Sequence, residues 1–399
     1  MDYNNILVYF IVLLRLLTRE RGVLMLKIIA EETVYSGKNN PVHSSCAFGQ
    51  ICVLPDGRWL CGFRAAPTKN RTEGQKALMT VSQDQGRSWS PPVEPFQAPA
   101  VDGKLGAFRS IAFTSLSGAR VMATLFWVDV SNPHLPFFNE DTWGLLDSKI
   151  FHAFSEDYGE HWSEPQLMQA KPFDFPIALT GPTLRLANGD LACQFELNKH
   201  YYDESPWRHS SVMMFSHDEG KTWPDHSIIT SHPTLYYWDQ RPAVMNNGEI
   251  LDLFWTYDNK AGVYRNIHAR SSRDNGKSWG EIWDTGVPGQ PAPPQQFADG
   301  SIAMVYVDRT RSPEIRVRTS LDGGQSWPNG SDMLLYKSDS ARPPCSRRNM
   351  EEAWAEMANF SLGLPATCMT GDNKLLAIFY AGPHKDKTDI HWRLLEQES

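Results

Sequence analysis

The pattern Ser-x-Asp-x-Gly-x-x-Trp occurs five times in this 399-residue chain, as SQDQGRSW from Ser82, SEDYGEHW from Ser155, SHDEGKTW from Ser216, SRDNGKSW from Ser272 and SLDGGQSW from Ser320. A repeat of this kind limits the fold more than any single residue does, because each copy must be one unit that stacks on its neighbours. Within a copy the aspartate can accept hydrogen bonds from turn amides, the glycine turns the chain, and the tryptophan packs beneath it. The boxes therefore read as structural turns.

A second element sits upstream of most boxes: an apolar run, a tight turn containing Gly, and another apolar run. It is seen in QICVLPDGRWLCGF from Gln50, PTLRLANGDLACQF from Pro182, PAVMNNGEILDLFW from Pro242 and PQQFADGSIAMVY from Pro294. SIAFTSLSGARVMATLFW from Ser110 and ATCMTGDNKLLAIFY from Ala366 are looser copies. Asn, Asp and Gly tolerate the positive φ that such turns need, so each copy predicts a β-hairpin. A third strand precedes each box, as in KALMTV before Ser82 or EIRVRT before Ser320, and a fourth carries the chain onward. Six units of four antiparallel strands predict an all-β fold, a six-bladed β-propeller with Asp-box repeats. The last unit lacks a box, and LKIIAEETVYSG from Leu26 is a spare strand suited to completing it and closing the ring. A solenoid, the structural alternative, has no need of a strand returned from the other terminus. The one helical pattern, MEEAWAEMANF at 350–360, falls between the fifth and sixth units and is expected outside the ring.

The division expected is an N-terminal extension over 1–25 and the propeller over 26–399. The apolar stretch from Ile6 to Leu14 is short for a bilayer span and is cut by Arg15, which argues against a stable membrane span. It reads either as a leader or as a disordered or mis-assigned start before Met25. The six cysteines lack CxxC spacing and fall largely in apolar runs, as buried thiols of a reducing, cytoplasmic protein would; a leader would make it secreted or periplasmic instead. A net charge of −8 argues against a nucleic-acid partner. The histidines show no metal-ligand spacing, and no phosphate or dinucleotide fingerprint opens a helix, so neither a metal nor a cofactor is expected.

The boxes and the blade pattern resemble the Asp-box (BNR) repeats of the sialidase superfamily, from about Leu26 to the end of the chain. That resemblance implies a propeller whose boxes lie at the periphery, a carbohydrate substrate at one mouth of the channel, and a sialidase-like glycoside hydrolase. The alternatives kept open are another glycosidase or a polysaccharide lyase on the same fold, and a carbohydrate-binding propeller without catalysis.

Repeat register locates candidate site residues independently. Seven positions after the turn glycines Gly57 and Gly189 stand Arg64 and Glu196, and seven after Asn373 stands Tyr380. The same step from Gly300 ends beside Asp308 and Arg309, and seven before Gly248 is Arg241, next to Asp239. The looser second unit adds Arg109 and Trp127. Arginines converging on one mouth suit an anionic sugar, because a guanidinium fork matches a carboxylate; ion pairs holding blades together are the other reading. His43 in the loop entering the first unit is expected near the same mouth. Long and aromatic, the loop 131–149 reads as a lid or as a homo-oligomer contact.

The resemblance sharpens some of these. FRAAP places Arg64 where sialidases carry the first substrate arginine, and Arg309 or Arg311 in DRTRSPEIRV matches the third. Departures are equally plain: GLPATCM at 363–369, where the family has its tyrosine nucleophile, has no tyrosine, and before the first box Glu73 stands in place of the acid/base aspartate. A glycosidase needs a nucleophile and a proton donor on opposite sides of the anomeric carbon. Glu196 with Tyr380 is the expected nucleophilic pair, and Asp239 or Glu73 the expected donor.

Overall fold

The computed structural model describes residues 23–309, 313–338 and 359–398. Arg311, Cys345 and the helical pattern over 350–358 lie outside the described residues. Among the described residues the regular structure is β, apart from one 3-10 turn at Asn329–Ser331. The strands form a β-propeller.

Hydrogen bonding groups the strands into five sheets rather than six separate blades. Four follow the expected units: Gly106–Ser115 to Gln166–Leu167, Ile177–Leu179 to Asp225–Ser231, Leu235–Val244 to Trp283–Asp284, and Gln290–Pro291 to Met333–Lys337. The first and last units share one seven-stranded sheet. They are joined by a single parallel pair, Ser45 with Thr388. The Thr388 hydroxyl reinforces this seam, accepting the Cys46 N–H at 2.9 Å and donating to the Cys46 carbonyl at 2.6 Å. Thr388 is 1 % exposed, so these bonds satisfy polar groups that water cannot reach. Across the same seam Trp59 meets Trp392 edge to face, with ring centroids 5.3 Å apart.

The N-terminal strand Leu26–Tyr35 pairs antiparallel with the final strand Lys387–Gln397, from Leu26 opposite Gln397 to Tyr35 opposite Ile390. The two ends of the chain thus close the ring together, as the spare strand predicts. Between adjacent sheets lie apolar layers, such as Phe108, Ile111, Leu125 and Phe151 against Leu60 and Met79. Each such side chain contributes roughly 1.5–3 kcal/mol on burial.

All five boxes share one hydrogen-bonded turn. In the first, Ser82 Oγ donates to Asp84 and accepts the Gly86 N–H at 2.7 Å, while Asp84 accepts the Ser88 N–H at 2.8 Å. The remaining four boxes repeat the serine-to-glycine bond at 2.8–2.9 Å. Gly86 has φ +87°, and a Cβ there would come within 2.7 Å of Trp59 and Trp392. Only glycine fits.

Candidate functional site

A cavity of about 300 Å³ opens where several units converge, and no box residue lines it. Local strand irregularity aims side chains into it. The pairing register slips between Ala47 and Gln50, Phe108 and Ser110, Trp238 and Arg241, and Gly363 and Ala366. Each slip presents one residue to the cavity: Phe48, Arg109, Asp239 and Leu364. Three of these hold positive φ, +57° at Phe48, +49° at Asp239 and +40° at Leu364. β-Bulges commonly re-aim side chains next to functional sites, and backbone strain collects there.

One end of the cavity is acidic. Glu196, at the end of Leu191–Leu197, is 7 % exposed, and its Oε1 accepts the backbone N–H of Asp239. Its other oxygen lies 3.4 Å from Nε2 of the buried His209. Burial holds the Glu196 carboxyl above the usual carboxylate range, against the pull of His209. Asp239 faces Arg241 at 3.4 Å and accepts a hydrogen bond from the Gln290 amide. Behind them Asp252 is completely buried, which pushes its carboxyl well above the ordinary range.

The opposite end is cationic. Arg309 donates through Nε and Nη2 to the Leu362 carbonyl at 3.0 and 2.8 Å, and through Nη1 to Gln290 Oε1 at 2.8 Å. Its guanidinium stacks 3.9 Å from the Phe360 ring centroid. Arg109 lies over the rings of Phe137 and Phe48, at 4.6 and 5.2 Å, and bonds Gln75 Oε1. Lys69 donates to the Phe360 carbonyl at 2.5 Å and stands 3.4 Å from the Tyr380 hydroxyl. Burial, then the neighbouring Arg309, Arg64, Arg109 and Lys385, pull the Lys69 amine well below the usual lysine range. Burial raises the Tyr380 phenol, with Arg309 opposing. A third, aromatic side comes from the long loop, whose Pro136, Phe137, Phe138, Glu140 and Leu145 line the cavity. That loop is tied down: Asn139 and Thr142 both donate to the Tyr201 carbonyl, at 2.8 and 2.5 Å.

Six of the residues singled out in the sequence line this cavity: Arg109, Glu196, Asp239, Arg241, Arg309 and Tyr380. The others are placed elsewhere. Arg64 is 0 % exposed beneath the wall, covered by the turn that follows its strand, where it bonds Gln75 Oε1 and the carbonyls of Thr68 and Arg71. Trp127 is sealed in the core, its Nε1 donating to the Pro99 carbonyl. Glu73 is exposed on a turn, and His43 lies against Asn40 in the loop before the first unit, neither on the cavity wall. Asp308 ends the strand Ile302–Asp308 one residue short of the wall. The expected nucleophilic pair, Glu196 and Tyr380, lines the same cavity without a hydrogen bond between the two among the described residues. Among the described residues, the groups bonded to the Tyr380 hydroxyl are Lys69 and Arg309. Sequence reasoning missed Lys69, Gln290, Phe48 and Phe360, which come from turns and bulges outside the repeat register.

The sequence matches the BNR repeat-like domain over residues 124–373. The chain belongs to the BNR repeat-like family. No curated protein matches it. Among solved structures, this BNR-repeat propeller is similar to a Dyadobacter fermentans protein of unknown function, at 17 % identity and TM-score 0.73, covering 94 % of this chain and 99 % of that one. A Hadza microbial sialidase gives 16 % identity and TM-score 0.62 over 91 % of this chain and 68 % of its own. The α-L-arabinanase of Penicillium chrysogenum, solved with arabinobiose, gives 14 % and 0.59 over 92 % and 98 %. These likenesses support the β-propeller fold. Among the described residues, no cluster of His, Cys, Asp or Glu is suited to a metal ion, and no helix is long and apolar enough to cross a membrane.

Proposed function

We propose that this BNR-repeat propeller is a sialidase-like glycoside hydrolase that takes an anionic sugar in the 300 Å³ cavity. The observation that carries this reading is the polarity of the site: Lys69, Arg109 and Arg309 at one end, Glu196 and Asp239 at the other, and Tyr380 on the same wall. Arg109 bonds a neutral amide oxygen and, among the described residues, forms no salt bridge, so its charge is available to a ligand carboxylate. Glu196, whose carboxyl burial shifts toward the protonated form, suits the role of proton donor to the departing oxygen. Tyr380 is the nucleophile in this reading, and Trp238 and Trp255 add apolar edge to the wall.

The test is a panel of aryl glycosides that includes a sialoside, uronides and neutral pentosides. Release of the aryl group from an anionic member alone is the expected result. Turnover confined to neutral sugars overturns the anionic assignment, and saturable sugar binding without turnover makes the protein a binding propeller.

A further inference from the structure

Lys69 has no counterpart among the residues that the family resemblance implies, yet it stands beside the one phenol in the cavity wall. Its position is well defined. The Lys69 backbone N–H donates to Asp386 Oδ1 at 2.7 Å, which pins the turn after Trp59–Ala66 to the turn of the last unit. From there the side chain reaches the Phe360 carbonyl at 2.5 Å and the Tyr380 oxygen at 3.4 Å. Its nitrogen also lies 5.5 and 5.4 Å from the ring centroids of Phe360 and Tyr380. Glu196, the obvious alternative base, is occupied by the Asp239 amide and His209.

We propose that Lys69 is the proton acceptor for Tyr380, an amine doing what a carboxylate would do beside a tyrosine nucleophile. This rests on the glycosidase reading above. As the Tyr380 oxygen bonds to the anomeric carbon, its proton passes to the Lys69 amine. The glycosidic C–O bond breaks, and the leaving oxygen takes the proton of Glu196. In the second half, water attacks the anomeric carbon and gives a proton to the Glu196 carboxylate. The bond to Tyr380 breaks, and the phenolate recovers its proton from the Lys69 ammonium. Both groups end as they began.

The surroundings favour this cycle. Burial and the four nearby cations all oppose a positive charge on Lys69, which favours the amine that the first step needs. Asp386 faces the turn through a backbone bond, and the Asp239 charge opposes ionisation of Tyr380. An anionic substrate adds the missing negative charge and so strengthens Lys69 as a base only when a substrate is present.

Two measurements test the proposal. With whichever glycoside the panel identifies, Lys69→Arg puts a permanent cation beside Tyr380 that cannot act as a base. The expected result is a fall in kcat of about 100-fold or more with KM little changed, matched by Lys69→Met. A Lys69→Arg variant with kcat within about tenfold of wild type overturns the proposal and reduces Lys69 to an anion-binding charge, leaving the glycosidase reading intact. A panel with no turnover defeats that reading instead. The second measurement needs no substrate and no variant activity: NMR titration of lysine side chains in the labelled wild-type protein, with Lys69 assigned by its loss in Lys69→Arg. One lysine titrating below the ordinary range supports the proposal, and uniform ordinary titration overturns it.

Discussion

Glu196 accepts, through Oε1, the backbone N–H of Asp239, a residue held at φ +49°. The bond ties a buried carboxyl in one sheet to a strained bulge in the next, and the bulge in turn carries the carboxylate that faces Arg241. Asp and Asn tolerate the left-handed region because their short polar side chains bond locally, whereas alanine does not. Asp239→Asn should therefore fold with a Tm close to wild type, while Asp239→Ala should lose stability on the order of 1 kcal/mol. Both should lose turnover, because neither restrains Arg241 with a charge. Thermal melts of the two variants side by side check this, and equal melts would remove backbone strain from the explanation.

The raised Glu196 carboxyl gives a pH dependence of definite sign. A carboxyl whose folded value lies above its unfolded value is fully tolerated below the ordinary carboxylate range, and stability is lost as pH rises from there through the folded value. As a proton donor it also fails over that same upper limb. Glu196→Gln keeps an acceptor for the Asp239 amide and removes the titration. The expected outcome is a variant at least as stable as wild type at neutral pH, with kcat down about 100-fold on aryl glycosides that have poor leaving groups. The loss should be smaller when the leaving group is a nitrophenol, which needs little protonation. A uniform loss across leaving groups would take the donor role away from Glu196.

The boxes were readable because their chemistry is local: Ser216, Asp218, Gly220 and Thr222 bond one another within a single turn. Ring closure was readable for a related reason, since a spare strand at one end needs a sheet edge. The site divides along the same line. Glu196, Arg241 and Tyr380 lie on regular strands, where counting from the turn glycine carries over from unit to unit. Lys69, Gln290, Phe137 and Phe360 reach the cavity from turns, short pairings and a long loop, which follow no such period. Bulges further hide which residue faces inward, because one extra residue flips every side chain beyond it. Arg64 obeys the register and still misses the cavity, since the chain from Pro67 to Gln75 folds over it.

That placement changes what Arg64 does. Expected from sequence as the first ligand arginine, it instead ties its own turn together through Gln75 and the Thr68 and Arg71 carbonyls. Removing it takes that donor from the Thr68 and Arg71 carbonyls, while Gln75 Oε1 keeps its bond from Arg109. Arg64→Ala should cost about 3 kcal/mol of stability. Arg109→Ala, at the cavity end of the same cluster, should cost less stability than Arg64→Ala and weaken binding of an anionic sugar by about tenfold. Chemical denaturation and ligand titration of both variants separate the roles. An Arg64→Ala protein of wild-type stability that no longer binds sugar would restore Arg64 to the ligand site.

Asp252 sits behind Arg241 with no accessible surface, and neither of its carboxyl oxygens has a hydrogen-bond partner among the described residues. Burial is the largest influence on it and pushes the carboxyl well above the ordinary range, while the Arg241 charge and the backbone of Arg241 and Leu253 pull the other way. The sign follows from linkage: the folded protein holds this proton where the unfolded chain has released it. Stability is then complete below the ordinary aspartate range and falls as pH rises, by about 1.4 kcal/mol per pH unit, until the folded value is reached. Asp252→Asn removes the proton without changing the shape. The variant should match wild type in acid and exceed it once pH passes the ordinary aspartate range, the gap widening until the folded value is reached. Urea denaturation across that range measures the gap directly. A constant difference between the two proteins would mean that Asp252 is ionised in the fold, with Arg241 as its counter-charge.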